Sequence, residues 1–267
     1  MLRELFASLD GERLSAYKTG LIAFDNAAGG MMPGELCVIM GRRGEGKSTL
    51  AVQLLRTWAG QGIPGLICSY EMGREQLAGC LLAAEGHVVI RKNWQLTADA
   101  RTAANNAADV IAPLPLYVDD NPPRNLSGLL AVCRQRARKD NCRAFLIDYI
   151  QLVPPDRERD SRQEDVAATS RALKLLAREL KSVVVACAQI NDKGESRESR
   201  QIENDADMLI RIGAPDPESC GPVVTVQLAV KKNRSDACGT VPATWHKGWR
   251  LFAEYVPLAG EDRTAHA

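Results

Sequence analysis

The sequence predicts an α/β fold: a mainly parallel sheet sandwiched by helices, with antiparallel strands near the C-terminus. Three observations carry that expectation. The glycine-rich stretch "GRRGEGKSTL", Gly41 to Leu50, stands between the apolar run "LCVIM" and the helically spaced "STLAVQLLRTWA", which is a strand–loop–helix order. Further apolar runs, "GLICSY", "LPLYVDD", "AFLIDYIQL", "SVVVACAQI" and "DMLIRI", alternate with helical stretches, and strands covered on both faces read as nearly continuous apolar segments. The closing region, "VVTVQLAVKKNRSDACGTVPATWHKGWRLFAEY", has the short runs and turn residues of antiparallel strands.

In chain order, residues 1–18 read as a short N-terminal linker or helix ("LRELFASL"), 19–256 as one α/β domain, and 257–267 as a disordered tail. The lead-in "TGLIAFDNAAGGMMPGEL" reads as turn-rich. The loop behind the first strand then satisfies G-x-x-x-x-G-K-[ST]. Gly41 and Gly46 let the backbone turn its N–H groups inward to cradle anionic oxygens, with Arg42, Arg43, Gly44 and Glu45 completing the loop. The N-terminus of the next helix adds partial positive charge. Lys47 is placed to reach β- and γ-phosphates, and Ser48, beside Thr49, to ligate Mg²⁺. The loop is expected to bind a nucleoside triphosphate.

Three strand ends carry further chemistry. Asp148 closes a buried run where parallel sheets bind ligands, and beside a phosphate loop its natural task is to hold Mg²⁺. Glu71 follows "LICSY"; it can orient and deprotonate an attacking water, or cap the helix "GREQLAGCLLAA". Gln189 ends "VVVACAQ" and can sense a γ-phosphate or serve as an ordinary strand-end amide. Between these, "QEDVAATSRALKLLARELK" is the clearest helix: Val166, Leu173, Leu176 and Leu180 share a stripe, with Arg171, Lys174 and Arg178 mostly opposite. "LAVKKNR" places Lys231, Lys232 and Arg234 just after a strand, as a solvated basic turn or as cations reaching a neighbouring subunit's nucleotide.

Composition sets bounds. Hydrophobic content of 45% and charged content of 25% are ordinary for a soluble globular chain. No apolar stretch approaches the ~20 residues that span a bilayer, and the N-terminus has no signal-peptide core, so a cytoplasmic protein without a membrane partner is expected. The eight cysteines show no C-x-x-C pair and the three histidines no cluster, which argues for reduced core thiols and against a zinc site. A net charge of +1 gives no global basic field, though a local strip would suffice for nucleic acid.

Taken in order, the quoted segments resemble the C-terminal motor domain of DnaB-type replicative helicases from about Thr19 to about Tyr255. The phosphate loop is widely shared, whereas "DYIQLV" followed by "SRQEDV", "IENDAD" and "KKNR" is far more specific. The resemblance implies a RecA-like fold in a self-assembled hexameric ring, with ATP and Mg²⁺ at subunit interfaces and single-stranded DNA in the central channel. By position it implies that Lys47 and Ser48 bind phosphates and Mg²⁺, Glu71 activates water and Asp148 supports the metal. It further implies that Gln189 reports the γ-phosphate state and that Lys232 and Arg234 enter the adjacent subunit's site. "RESRQIENDAD" matches the DNA-contacting loop, making Arg197 and Glu198 DNA-proximal, with Arg200 standing where the family usually has glycine. Fewer than twenty residues precede the motor region, so the family's N-terminal collar domain is not expected in this sequence. A primase, a loader or a host replication protein is a further candidate partner. The implied activity is ATP-driven helicase or translocase action in DNA replication. The alternatives are an accessory ATPase that binds nucleic acid or a resident helicase without unwinding, and an interaction protein that mimics one ring subunit.

Overall fold

In the computed structural model the described residues are 15–91, 96–157, 161–190, 197–213 and 221–256, with side chains in the fourth span described from residue 200. The candidate N-terminal helix, the tail 257–267, Cys220 and the side chains of Arg197 and Glu198 lie outside the described residues. The first half of the chain forms α1 (Ile22–Ala28), β1 (Leu36–Gly41), α2 (Lys47–Gly60), β2 (Gly65–Ser69), α3 (Arg74–Gly86), α4 (Ala98–Ile111) and β3 (Leu116–Asp119). There follow α5 (Leu126–Lys139), β4 (Ala144–Asp148), α6 (Arg162–Leu180), β5 (Val183–Gln189) and α7 (Arg197–Asp205). The chain then closes with β6 (Met208–Ile212), β7 (Val223–Asn233), β8 (Gly239–His246) and β9 (Leu251–Glu254). One nine-stranded sheet runs β3-β2-β4-β5-β1-β6-β7-β8-β9. Strands β1 to β6 pair in parallel, and β7 to β9 continue the sheet antiparallel. The predicted fold class is the observed one.

Strand alternation divides the core into two layers. Cys37, Ile39, Val183, Val185 and Cys187 face one side, while Leu36, Val38, Val184, Ala186 and Ala188 face the other. On the first face α2 seats Leu50, Leu54, Leu55 and Trp58, a stripe at helical spacing. On the second, α5 and α6 seat Leu129, Cys133, Val166, Leu173 and Leu176. Burying each such side chain contributes on the order of 2 kcal/mol. The Trp58 indole N–H donates to the Lys18 carbonyl at 2.8 Å and Tyr17 packs edge-on against its ring, so residues 17 and 18 are tied to the body. Helix α6 begins where the Ser161 hydroxyl accepts the Glu164 N–H at 3.3 Å.

Two expectations need correction, and one ion pair is new. The turn-rich lead-in contains α1, a two-turn helix held by the Asp25 carboxylate, which accepts from the Thr19 N–H and hydroxyl at 2.8 and 2.9 Å. It escapes a periodicity search because it is short and closes on Gly29 in the left-handed region, at φ 74°. On the polar side of the α6 stripe, Lys174 makes an ion pair with the buried Asp207, a contact the stripe alone does not reveal. Lys231 and Lys232 lie within β7 rather than after it, and Arg234 follows its last residue.

The Cys37, Cys68, Cys80, Cys133, Cys142 and Cys187 thiols are free and buried, and Cys238 is free and exposed. No helix among the described residues is long and apolar enough to cross a membrane.

Candidate functional site

The C-terminal ends of β1, β2, β4 and β5 meet at one crevice. Its floor is the Gly41–Ser48 loop, and Lys47, Ser48, Glu71, Gln189 and Arg250 line a cavity of about 280 Å³. The left-handed turns of the loop fall on Gly44 and Gly46, at φ 83° and 88°, whereas Gly41 is the last residue of β1. A Cβ on Gly46 would also come within 2.8 Å of the Phe252 ring, so this position excludes larger residues twice over. Glu45 is a brace rather than an anion contact: its buried carboxylate accepts the Arg42 N–H across the loop. Lys47 opens α2 and its Nζ donates to the Arg42 carbonyl at 2.7 Å. Burial lowers the Lys47 ammonium from its ordinary value, and the surrounding Cys187, Glu45, Asp148 and Glu71 oppose that shift.

Asp148 sits beneath the loop, 1% exposed, and neither of its carboxylate oxygens has a hydrogen-bond partner among the described residues. Burial pushes its carboxyl up; the Ser48 hydroxyl, the Cys187 thiol and the Lys47 ammonium pull the other way, while Glu71 adds to the rise. Two unsatisfied buried oxygens beside a hydroxyl make a hard, oxygen-rich donor set, which fits Mg²⁺ held by Ser48 and Asp148. The bare carboxylate also carries a penalty. Its cost is complete above the raised folded-state value and absent below the ordinary 3.8, where both states are protonated. Asp148→Asn is therefore expected to stabilise the nucleotide-free protein by about 1–2 kcal/mol at neutral pH, fading in acid, while turnover is lost. Thermal melts at pH 7.5 and pH 4 check this; a variant that melts lower at neutral pH would mean that the carboxylate has a partner.

Glu71 lies two residues beyond β2, in a turn where the Ser69 hydroxyl accepts the Met72 N–H at 2.9 Å. It does not cap α3. That helix has Gly73 at its N-cap, and the Asp120 carboxylate takes the Arg74 N–H at 3.0 Å. Glu71 is left facing the cavity beside Lys47 and Ser48. Glu71→Gln is expected to bind ATP normally and hydrolyse it at least ~100-fold more slowly, as on loss of a general base. Parallel loss of binding, read by nucleotide titration, would assign Glu71 to the turn instead.

Gln189 is in register with Gly41 across the β1–β5 pair, which sets its side chain at the loop. Its backbone is clamped by Gln151, whose amide donates to the Gln189 carbonyl at 2.9 Å and accepts its N–H at 3.3 Å. Gln151 was not among the predicted residues; an amide after a strand carries no signal of its own. Arg250 was missed for a similar reason. It reaches the cavity from the turn between β8 and β9, at φ 54°. The stacked Trp245 and Phe252 rings, 5.5 Å apart, form the wall behind Gly46.

Lys232 and Arg234 are not at this crevice. The Asp207 N–H donates to the Leu36 carbonyl and its carboxylate accepts the Leu36 N–H, at the opposite end of β1 from the loop. The Arg234 guanidinium donates to that Asp207 carboxylate at 3.2 Å. Five steps along β1 put that point about 17 Å from Gly41. Lys232 donates to the Glu203 and Asn204 carbonyls at 2.6 and 3.0 Å, and burial lowers its ammonium, helped by the neighbouring Arg234 charge. Arg200 is exposed on α7.

The family model described as the DnaB-like helicase C terminal domain matches residues 16–254. The chain is 33% identical over 261 residues to the replicative DNA helicase DnaB of Leifsonia xyli subsp. xyli (strain CTCB07), covering 92% of this chain and 57% of the relative. It is 30% identical over 257 residues to the replicative DNA helicase DnaC of Bacillus subtilis (strain 168), covering 90% and 56%. The chain thus spans little more than half the length of these curated relatives. Among solved structures, one described as an ATPase domain superposes with a TM-score of 0.85 at 23% identity, covering 96% of this chain and 97% of that one. A DnaB-like replicative helicase, described with its interactions with primase, superposes at 0.84 and 22% identity, covering 96% and 68%. At these identities the superpositions establish the fold alone, which is RecA-like.

Proposed function

The chain belongs to the DnaB-like helicase C-terminal domain family, and from that premise we propose that it is an ATP-hydrolysing motor, assembled as a ring, that moves along single-stranded DNA in replication. One observation carries the reading: a glycine loop, a buried cation, a carboxylate unsatisfied among the described residues and a cavity-lining glutamate converge at the C-terminal ends of the parallel strands. Loop N–H groups and Lys47 hold the β- and γ-phosphates of ATP, Glu71 orients the attacking water and Gln189 contacts the γ-phosphate. Mg²⁺, held by Ser48 and Asp148, would neutralise charge on the transferring phosphoryl group. An adjoining cavity of about 460 Å³ that shares Thr49, Cys80 and Arg250 gives room for the nucleoside.

The position of Arg234 supports assembly. Held at the opposite end of β1 from its own loop, about 17 Å away, it would act on a nucleotide carried by another copy. Head-to-tail contact that brings one copy's loop edge to the next copy's finger edge closes naturally into a ring. We take the ring to be hexameric, in keeping with the family resemblance, and a primase or loader to be the further partner.

The test is ATP hydrolysis with and without a single-stranded oligonucleotide, together with its binding. Stimulated hydrolysis supports the motor; a rate indifferent to DNA favours an ATPase that does not translocate. Arg200→Ala is expected to weaken binding irrespective of sequence and to flatten the log–log salt dependence by about 0.7 for one lost phosphate contact. An unchanged slope in titrations at several salt concentrations would place α7 away from DNA.

A further inference from the structure

The Lys232 and Arg234 cations do more than wait at the surface. A helix ends with carbonyl groups that lack intrahelical partners and with partial negative charge, and both features attract cations. At the end of α7 the Glu203 and Asn204 carbonyls are taken by Lys232, and the Asn204 carbonyl also by Arg234. Two residues further on, the buried Asp207 carboxylate receives Arg234 on one oxygen and the Leu36 N–H and Lys174 on the other. The Arg234 N–H also bonds to the Asp207 carbonyl at 3.0 Å. Arg234 is not fixed by burial: its side chain is 52% exposed, so these bonds decide where its guanidinium points.

The first turn of α7 shares an exposed face with that end, because Arg200 lies one turn before Glu203 and Asn204. Arg200 is exposed near its first turn, while Ile202 in the middle is buried against the second core layer and Ala206 is buried after its end. Nine residues at 1.5 Å each make a rod of about 13 Å, anchored to the core through Ile202.

We propose that Asp207 and the C-terminal carbonyls of α7 position Arg234 and Lys232, so that a single helix joins the nucleic-acid surface at its first turn to the finger cations at its last. Asp207 is thus a positioning residue acting through Arg234, an inference that rests on the proposed readings of Arg234 as a finger and of α7 as a DNA contact. The arrangement makes the reach of the finger depend on where α7 lies. Contact of single-stranded DNA with α7 is thereby passed to ATP turnover in the neighbouring copy.

The experiment measures kcat and KM for ATP, with and without an oligo-dT strand, in Asp207→Asn, Lys174→Met, Arg234→Ala and the Arg234→Ala/Asp207→Asn double variant. Asp207→Asn is expected to lower DNA-stimulated kcat about tenfold or more with KM held within about twofold. Lys174→Met breaks the other ion pair of Asp207; it is expected to lower the melting temperature and leave kcat within about twofold. Adding Asp207→Asn to Arg234→Ala is expected to cause no further loss, because the two changes remove one function. Multiplicative losses in the double variant, unchanged kcat in Asp207→Asn, or equal kcat loss in Lys174→Met would each overturn the proposal. If Arg234→Ala alone keeps full kcat, the finger reading fails and this inference falls with it. Should Asp207→Asn not fold because Lys174 is left uncompensated, the Lys174→Met/Asp207→Asn pair takes its place in the same cycle.

Discussion

Lys47→Ala is expected to abolish ATP turnover while the protein remains folded. The ammonium sits in the loop against the Arg42 carbonyl, among the Glu45, Asp148 and Glu71 carboxylates, and no neutral side chain supplies its charge to a β/γ-phosphate pair. The core is untouched, because Leu50, Leu54 and Trp58 anchor α2 further along. Hydrolysis measured beside thermal unfolding separates the two effects. Near-wild-type hydrolysis in the folded variant would remove the phosphates from this loop.

Arg234→Ala has the second largest expected effect: a fall in turnover of up to ~10³-fold with nucleotide affinity unchanged. The split follows from geometry. The variant keeps its own loop, its own Asp148 and its own Glu71, some 17 Å away along β1 by the ~3.3 Å rise per residue. Binding of a fluorescent ATP analogue should therefore match the wild type. Loss of binding in step with turnover would place Arg234 in its own subunit's site.

Much of this architecture was legible because its strands are buried on both faces. Runs such as "LCVIM" and "VVVACA" need no alternation to be read, and the glycine loop announced where the first of them ends. The helix stripe of Val166, Leu173 and Leu176 was equally plain, since 3.6-residue spacing survives in the letters. The misses share a cause. Lys174 falls on the polar side of that stripe, and only the fold brings a buried carboxylate up to it. Asp207 sits inside the quoted "IENDAD" yet looks like any acid before a strand.

At the site, spacing singled out Lys47 and Ser48 and a strand end singled out Asp148, but neither could show that the Asp148 oxygens have no hydrogen-bond partner among the described residues, which is the observation that speaks for a metal. The capping alternative for Glu71 could be set aside only in the fold, where Asp120, a residue 49 positions away, holds the start of α3. Arg250, Trp245 and Phe252 come from turns and strands far along the chain, and their convergence on Gly46 is a property of the antiparallel extension of the sheet.

The central claim is an interfacial ATP site, with the loop from one copy and the finger from the next. Mixing Lys47→Ala with Arg234→Ala tests it most directly. Each variant alone lacks one half of every site, whereas mixed assemblies create interfaces with an intact loop facing an intact Arg234. With sedimentation showing that the two variants co-assemble, the mixture should hydrolyse ATP well above the floor of either variant. Activity that stays at the floor at every ratio, together with a merely linear loss when wild-type protein is titrated with Arg234→Ala, would contradict the interfacial site.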